Sequence, residues 1–282
     1  MQGILVAVKG AGDLATGVIH RLTRAGFAVI ATELPAPTVV RRTVSFAEAV
    51  ALGQVTVEDV TACLASSQTE IQAALARGHV PIAVDPAGTL LKSMQPTVLV
   101  EATLSKYNSG VTLEDAPIVI ALGPGYEAGK DVHAVIETNR GHNLGRVYLQ
   151  GCAEANTGVP GAIGGYTIER LLRAPATGVL YGVQQIGDFV KAGASVAIIK
   201  TPTAGNELPV TAAIDGVLRG ILRDGLQVKA GMKVGDVDPR AAREHCFTIS
   251  DKSRAIAGGA LEAILYLLNR KYVVYAQDCS LS

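Results

Sequence analysis

The chain has 282 residues, of which 49% are apolar and 18% charged, a balance that excludes a disordered chain and allows one large domain or two modest ones. Its 25 basic residues match its 25 acidic ones, so no whole-molecule field draws in nucleic acid or an anionic membrane. No run approaches the roughly eighteen apolar residues of a spanning helix, and the apolar start at residues 4–8 is broken by Lys9 and a glycine turn, unlike a signal peptide. The expectation is a soluble protein of the cytoplasm, with Cys63, Cys152, Cys246 and Cys279 as reduced, structural thiols.

From the N-terminus, residues 4–8, 28–32, 80–84, 98–102 and 118–122 are short, almost wholly apolar runs. Continuous apolarity marks strands covered on both faces and predicts a mostly parallel sheet. Ser45 and Glu48 have capping-box spacing ahead of a short helix, and residues 69–76, closed by Gly78, form another. Residues 131–138 and 144–149 alternate more and read as late strands at one sheet edge. The predicted fold class is α/β, with a Rossmann-like doubly wound sheet over residues 1–172.

Beyond residue 173 short β runs are separated by glycines, and Gly178-Val179-Leu180, Gly182 and Val190–Gly193 recur 38 positions later as Gly216-Val217-Leu218, Gly220 and Val228–Gly231. Two copies too small to bury their own apolar faces predict a pseudo-symmetric barrel-sandwich at 173–240, resembling biotinyl and lipoyl carrier domains. Carriers present a modifiable lysine on the linking hairpin. Here that hairpin lies near Thr201 to Glu207 and Lys200 belongs to the strand before it, so the scaffold is read without the carrier function. Residues 250–269 form a helix with Ser250 or Asp251 as N-cap and a wide stripe including Ile256, Ala260, Ile264 and Leu268. It belongs to a C-terminal segment, 241–282, expected to return to the first domain or cover a dimer contact.

Gly10-Ala11-Gly12-Asp13-Leu14-Ala15 follows the first strand and opens a helix, and Glu33 ends the second strand. In a Rossmann arrangement such glycines let the backbone approach a ligand and the acid accepts ribose hydroxyls. Asp13 puts a carboxylate where a pyrophosphate would collect N–H donors, so NAD and S-adenosylmethionine, which lacks phosphate, both stand as ligands. Other positions beyond strand ends are Asp85, Glu101 with Lys106 and Asn108, and Gly123-Pro124-Gly125, with Arg41 and Arg42 as cationic counterweights. Gly10, Gly12, Asp13, Glu33, Asp85, Gly123 and Gly125 are therefore the candidate cofactor-binding residues.

Asp131 and His133 share a strand face and form a candidate acid–base pair, or else satisfy hydrogen bonds at a strand edge. His133 and Glu137 would lie about 13 Å apart on a strand, too far to hold one metal, and no metal site is read. Arg140 and His142, in a glycine loop, suit an anion such as phosphate. Gly235–Arg240 carries two carboxylates and an arginine, with Thr248-Ile249-Ser250-Asp251-Lys252 close behind, the make-up of a salt-bridged domain junction or else of a functional site.

Taken together, Lys9–Gly17, Arg41–Phe46, Leu122–Tyr126, Asp131–Arg146, Gly235–Arg240 and the helix from Ser250 resemble the YqeB-type family of selenium-dependent molybdenum hydroxylase system proteins. The resemblance spans nearly the whole chain and is most distinctive in Asp131–His142. It implies an accessory role in maturing a molybdenum hydroxylase client, with a Rossmann domain similar to that of XdhC proteins, and it transfers no established catalytic residue. The leading expectation is a maturation protein whose cleft, with Arg140 and His142 at its edge, binds a nucleotide or nucleotide-bearing molybdenum cofactor. The ligand candidates are NAD(P), molybdopterin dinucleotide and S-adenosylmethionine. The alternatives are an NAD(P)-dependent oxidoreductase using Asp131 and His133, and a non-enzymatic scaffold or carrier. A homo-oligomer is expected, without nucleic-acid or membrane partners.

Overall fold

The computed structural model describes residues 3–202 and 205–278, with side chains to residue 270. The first half of the chain forms β1 (Leu5–Lys9), β2 (Ala28–Glu33), β3 (Gln54–Val57), β4 (Val60–Leu64), β5 (Val80–Val84), β6 (Val98–Glu101), β7 (Ile118–Leu122), β8 (Glu127–Ala128), β9 (Ala134–Ile136), β10 (Val147–Tyr148) and β11 (Gly151–Cys152). Nine of these make one sheet in the order β10-β9-β7-β6-β1-β2-β5-β4-β3. The seven central strands are parallel, whereas β3 and β10 close the edges antiparallel. β7 is buried at every position, as its unbroken Ile-Val-Ile-Ala-Leu sequence requires of a strand covered on both faces.

The helices are α1 (Asp13–Arg24), α2 (Ala49–Leu52), α3 (Gln68–Ala76), α4 (Thr89–Ser93) and α5 (Asp251–Asp278). On one face Val18, Ile19 and Leu22 of α1 and Ile256, Ala260 and Ile264 of α5 meet Val6, Val8, Ile118 and Ile120. On the other, Ile71 of α3 and Leu91 of α4 meet Ala7, Ile30 and Val119. The two long helices cross where Gly17 faces Ser253: an added Cβ at Gly17 would stand 2.1 Å from the serine Oγ. That hydroxyl donates to the carbonyls of Asp13 and Leu14, so the tail helix is hydrogen-bonded to the first turn of α1.

The remaining strands are β12 (Leu171–Arg173), β13 (Gly178–Gly182), β14 (Phe189–Val190), β15 (Ser195–Lys200), β16 (Glu207–Thr211), β17 (Gly216–Ile221), β18 (Gln227–Val228) and β19 (Lys233–Asp238). They form two four-stranded antiparallel sheets, β12-β19-β17-β14 and β16-β15-β13-β18, around a second core of Leu172, Leu180, Val196, Leu218, Val234 and Val237. The 38-residue repeat has a physical basis. Gly178 would collide, if it carried a Cβ, with the Lys200 carbonyl and Ile199, and Gly216 with the Asp238 carbonyl and Val237, the same neighbours shifted by 38. The short strand of each copy pairs with the long strand of the other, β14 with β17 and β18 with β13, so neither copy completes its sheet alone.

This arrangement corrects the expected fold class. The crossings from β6 to β7 and from β7 to β9 contain no α-helix, only a 3-10 turn at Leu113–Asp115 and the short β8, and the partner of α1 on its face comes from the far end of the chain. What forms is a large mixed sheet with several small antiparallel sheets, not a doubly wound Rossmann domain joined to a barrel-sandwich. The capping box also fails to form. Ser45 Oγ accepts from Ala47 N–H, but the Glu48 carboxylate turns away to Arg42 and Arg223. Of the predicted strand at 131–138 only Ala134–Ile136 is strand, and the β3–β4 hairpin was unforeseen. The hairpin tip at 203–204 and Cys279 lie outside the described residues; of the other thiols Cys63 and Cys246 are buried and Cys152 is exposed. Among the described residues no helix is long and apolar enough to cross a membrane.

The packing of α5 makes a direct prediction. Ile264 is fully buried and Tyr266, two residues on, is 40% exposed, so Ile264→Ala should cost about 2–5 kcal/mol through the cavity left behind, and Tyr266→Ala less than about 1 kcal/mol. Urea unfolding followed by circular dichroism measures both; equal losses would show that α5 is not docked in this register.

Candidate functional site

At the carboxyl ends of the central strands the turn after β1 places Gly10, Ala11 and Gly12 ahead of α1. Gly10 has φ +96°, and a Cβ there would press to 3.2 Å against the backbone of Ala102 and Thr103, so glycine is required for the β1 and β6 ends to lie side by side. The acidic groups around the turn are already matched within the protein. Ala11 N–H donates to Glu33 Oε2 (2.9 Å) and Leu34 N–H to Glu33 Oε1 (2.8 Å). Asp13, in the first turn of α1, receives both its hydrogen bonds from Arg41 Nη1, at 2.9 and 3.0 Å. Arg41 is 7% exposed, and its Nη2 donates to the carbonyls of His245 and Thr248. A pyrophosphate would therefore meet a carboxylate already neutralised by a buried guanidinium, and a ribose would meet an acid already holding two backbone donors.

The other predicted residues divide between structural duty and the site. Asp85 accepts from the N–H groups of Thr89, Leu90 and Leu91, anchoring the start of α4. Glu101, 1% exposed, holds Thr103, Ser109 and Lys9. Asp131 accepts from Glu127 N–H and His133 Nδ1 from Val119 N–H, so both serve backbone at the sheet edge, and neither borders the cleft described below. Gly123 takes φ +79° beside Thr138, and Gly125 takes φ +105° where a Cβ would reach 2.8 Å from the backbone of Lys106 and Tyr107. The second glycine thus lets the loop bearing Lys106 pass. Arg140 forms a bidentate pair with Asp251 at 2.7 and 3.0 Å, which holds the Asp251 carboxyl far below the usual range. His142 is exposed and away from the cleft. Near the other end of α1, His20 Nε2 bonds Asp59 at 2.8 Å with Glu58 beside it. Arg24 and Arg254 already pair with these acids, so the trio ties α1 and α5 to the β3–β4 hairpin.

Between the rim of the large sheet and the face of β17 and β19 lies a cleft of about 450 Å³. Eight basic side chains line it against three acidic ones, among the described residues. Asp13 is matched by Arg41 and Asp236 by Arg170 (3.1 and 3.3 Å), while Glu154 is held by the amides of Asn139 and Asn143. Lys106, Arg173, Arg219, Lys233 and Lys252 have no anion at hydrogen-bond distance, Lys233 standing 3.9 Å from Asp236 and Arg173 bonding the Gly231 carbonyl. Arg219 is 8% exposed; its Nε is buried with no partner, as are those of Arg41 and Arg170, but unlike theirs its Nη atoms hold no carboxylate at hydrogen-bond distance, and Asp238, 3.6 Å away, is already gripped bidentately by Arg240. Burial, reinforced by Arg41 beside it, pulls the Arg219 guanidinium below its ordinary range. Burial and the neighbouring Arg140 do the same to Lys252.

Arg170, Arg219 and Lys233 were not found by sequence reasoning, and Lys252 only as part of the stretch behind Gly235–Arg240. The signal for Arg219 was present in the repeat. It stands where the first copy has Tyr181, and Asp236 and Asp238 stand where that copy has Ile198 and Lys200. In the first copy Tyr181 pairs regularly with Ile198, whereas in the second the register slips between Leu218 and Gly220. Arg219 is the bulged residue, and a bulge re-aims a side chain.

No family model matches the chain. It is 50% identical over 266 residues to the uncharacterized protein YqeB of Escherichia coli, covering 94% of this chain and 48% of that one, so the chain spans about half the length of the curated relative it matches. Solved structures that resemble it include an aspartoacylase family protein from Mesorhizobium loti (TM-score 0.28, 9% identical, 83% of this chain and 84% of that one). Others are the ectoine utilization protein EutE from Ruegeria pomeroyi (0.27, 10%, 82% and 85%) and a succinylglutamate desuccinylase from a Silicibacter species (0.26, 15%, 83% and 84%). Scores of this size assign neither fold nor activity to this chain. With the carboxylates of Glu33 and Asp13 committed to donors within the protein, the expectations of a nucleotide-binding maturation protein, an NAD(P)-dependent oxidoreductase and a carrier scaffold are corrected, and neither comparison supports the selenium or molybdenum link. The identity to the Escherichia coli protein supports the YqeB family name over the matched residues.

Proposed function

We propose that the protein binds a small, multiply charged oxyanion, phosphate or carboxylate, in the cleft between the large sheet and β17–β19. The observation that carries this reading is Arg219. A guanidinium taken out of water without a hydrogen-bonded anion costs several kcal/mol, and a bulge absent from the sister copy directs it to a cavity of ligand size. Lys106 and Lys252 supply further charge around the same space, and the arginine fork matches the planar edge of a carboxylate or phosphate.

The test is calorimetric titration with inorganic pyrophosphate and with citrate, which separates the two kinds of oxyanion. One of them should bind in the micromolar range, and Arg219→Met should weaken it about 10–100-fold, the loss of hydrogen bonds to a charged group. Absence of millimolar or tighter binding by either anion would overturn the reading. The same substitution should leave the ligand-free melting temperature unchanged or raised, because it replaces a buried charge whose nearest carboxylate, 3.6 Å away, is not hydrogen-bonded to it with an apolar chain. A guanidinium with a purely structural role would instead lower it.

The pH dependence follows from Lys252. Its lowered pKa means that the ammonium is fully present well below its titration point and is lost as pH rises through a value under the ordinary lysine range. Lys233, on the same cleft, is lowered by burial in the same way, so anion affinity should decline at lower pH than the titration of an ordinary lysine. Lys252→Gln should reduce that decline and the double variant Lys233→Gln, Lys252→Gln should flatten it, as read by titrations from pH 7 to 10.

A further inference from the structure

A second cavity of about 440 Å³ adjoins the anion cleft, and Asp13, Leu14, Arg41, Lys233 and Asp236 border both. Its character is different. Ala15, Val39, Val40 and Ala102 contribute to its wall, and its rim carries Leu34 and Leu104, which are 49% and 39% exposed. Leu104 is held at φ +59°, a left-handed conformation that is strained for a non-glycine residue and concentrates at ligand clamps. Both carboxylate oxygens of the one acidic group peculiar to this cavity, Glu33, already hold backbone N–H groups, so the surface left for a ligand is mainly hydrocarbon.

Resting on the anion-binding reading, we propose that the ligand is amphipathic. Its oxyanion head lies against Arg219, and an uncharged apolar body runs past Leu14 and Arg41 into the second cavity, where it covers Leu34 and Leu104. Two cavities that share a wall, one with surplus positive charge and one with exposed leucines, complement one molecule with those two ends. Burying a two-ring body against this rim strengthens binding through the apolar area taken from water.

The probes are inorganic phosphate and 1-naphthyl phosphate, which share a head and differ in the body, titrated into the full chain by calorimetry. Naphthyl phosphate should bind at least about tenfold more tightly than phosphate. The double variant Leu34→Gln, Leu104→Asn should abolish that gain while leaving phosphate affinity unchanged. Both leucines are surface residues, and asparagine accepts a left-handed backbone more readily than leucine, so the variant keeps the fold. Arg219→Met should weaken both probes. Equal affinity of the two probes for the wild type, or a gain that survives the double variant, overturns the amphipathic ligand and leaves the anion site standing. Failure of the wild type to bind either probe overturns the anion site and this inference together.

Discussion

The site depends on a single buried guanidinium. Arg41 neutralises Asp13 at the start of α1 and caps the carbonyls of His245 and Thr248, so one side chain fixes the glycine turn, the loop after β2 and the approach to α5 relative to one another. Its burial is tolerable because its Nη atoms are spent on a carboxylate and two carbonyls. Neighbouring bonds extend the seam: Arg42 Nε donates to the Ile221 carbonyl, and Thr43 Oγ1 to that of Cys246. The β-rich half is thereby locked against the large sheet, and the cleft exists because the seam is polar and cannot collapse as an apolar interface would.

Much of the large sheet was legible. Runs such as 118–122 reveal themselves because a strand covered on both faces can hold no charge, and β7 is indeed buried throughout. The helix from residue 250 was legible for the related reason that its stripe needs a surface to cover. The β3–β4 hairpin was not, because Glu58 occupies its turn in a left-handed conformation where glycine or asparagine would have signalled one. The overall class was misjudged because apolar runs report that a strand is covered without reporting by what. Nothing in residues 1–172 announces that the second long helix on the α1 face arrives from residue 251.

The site was read less well, and for a chemical reason. Glycines and acids beyond strand ends are visible in one dimension, but whether Glu33 and Asp13 are open to a ligand depends on Ala11, Leu34 and Arg41, whose approach only the folded chain decides. Asp85, Glu101, Asp131 and His133 are polar groups at strand ends that hold backbone in place, and sequence spacing cannot separate such residues from ligand-binding ones. Arg219 was detectable in principle, as a cation in the otherwise uncharged run Gly216–Ile221 and as the point where the two copies diverge.

The exchange of short strands between the repeat copies has a consequence for how this half of the molecule can change. Because β14 completes the second copy and β18 the first, the two units are mutually obligatory and neither can be shed. Their shared framework is secured by the paired glycines at 178 and 216, leaving the intervening positions free to drift apart. Within the units the β13–β15 ladder is regular, whereas its counterpart β17–β19 carries the bulge at Arg219 and the buried charges. Such a division of labour lets recognition be altered on one side while the other preserves the shape that both require.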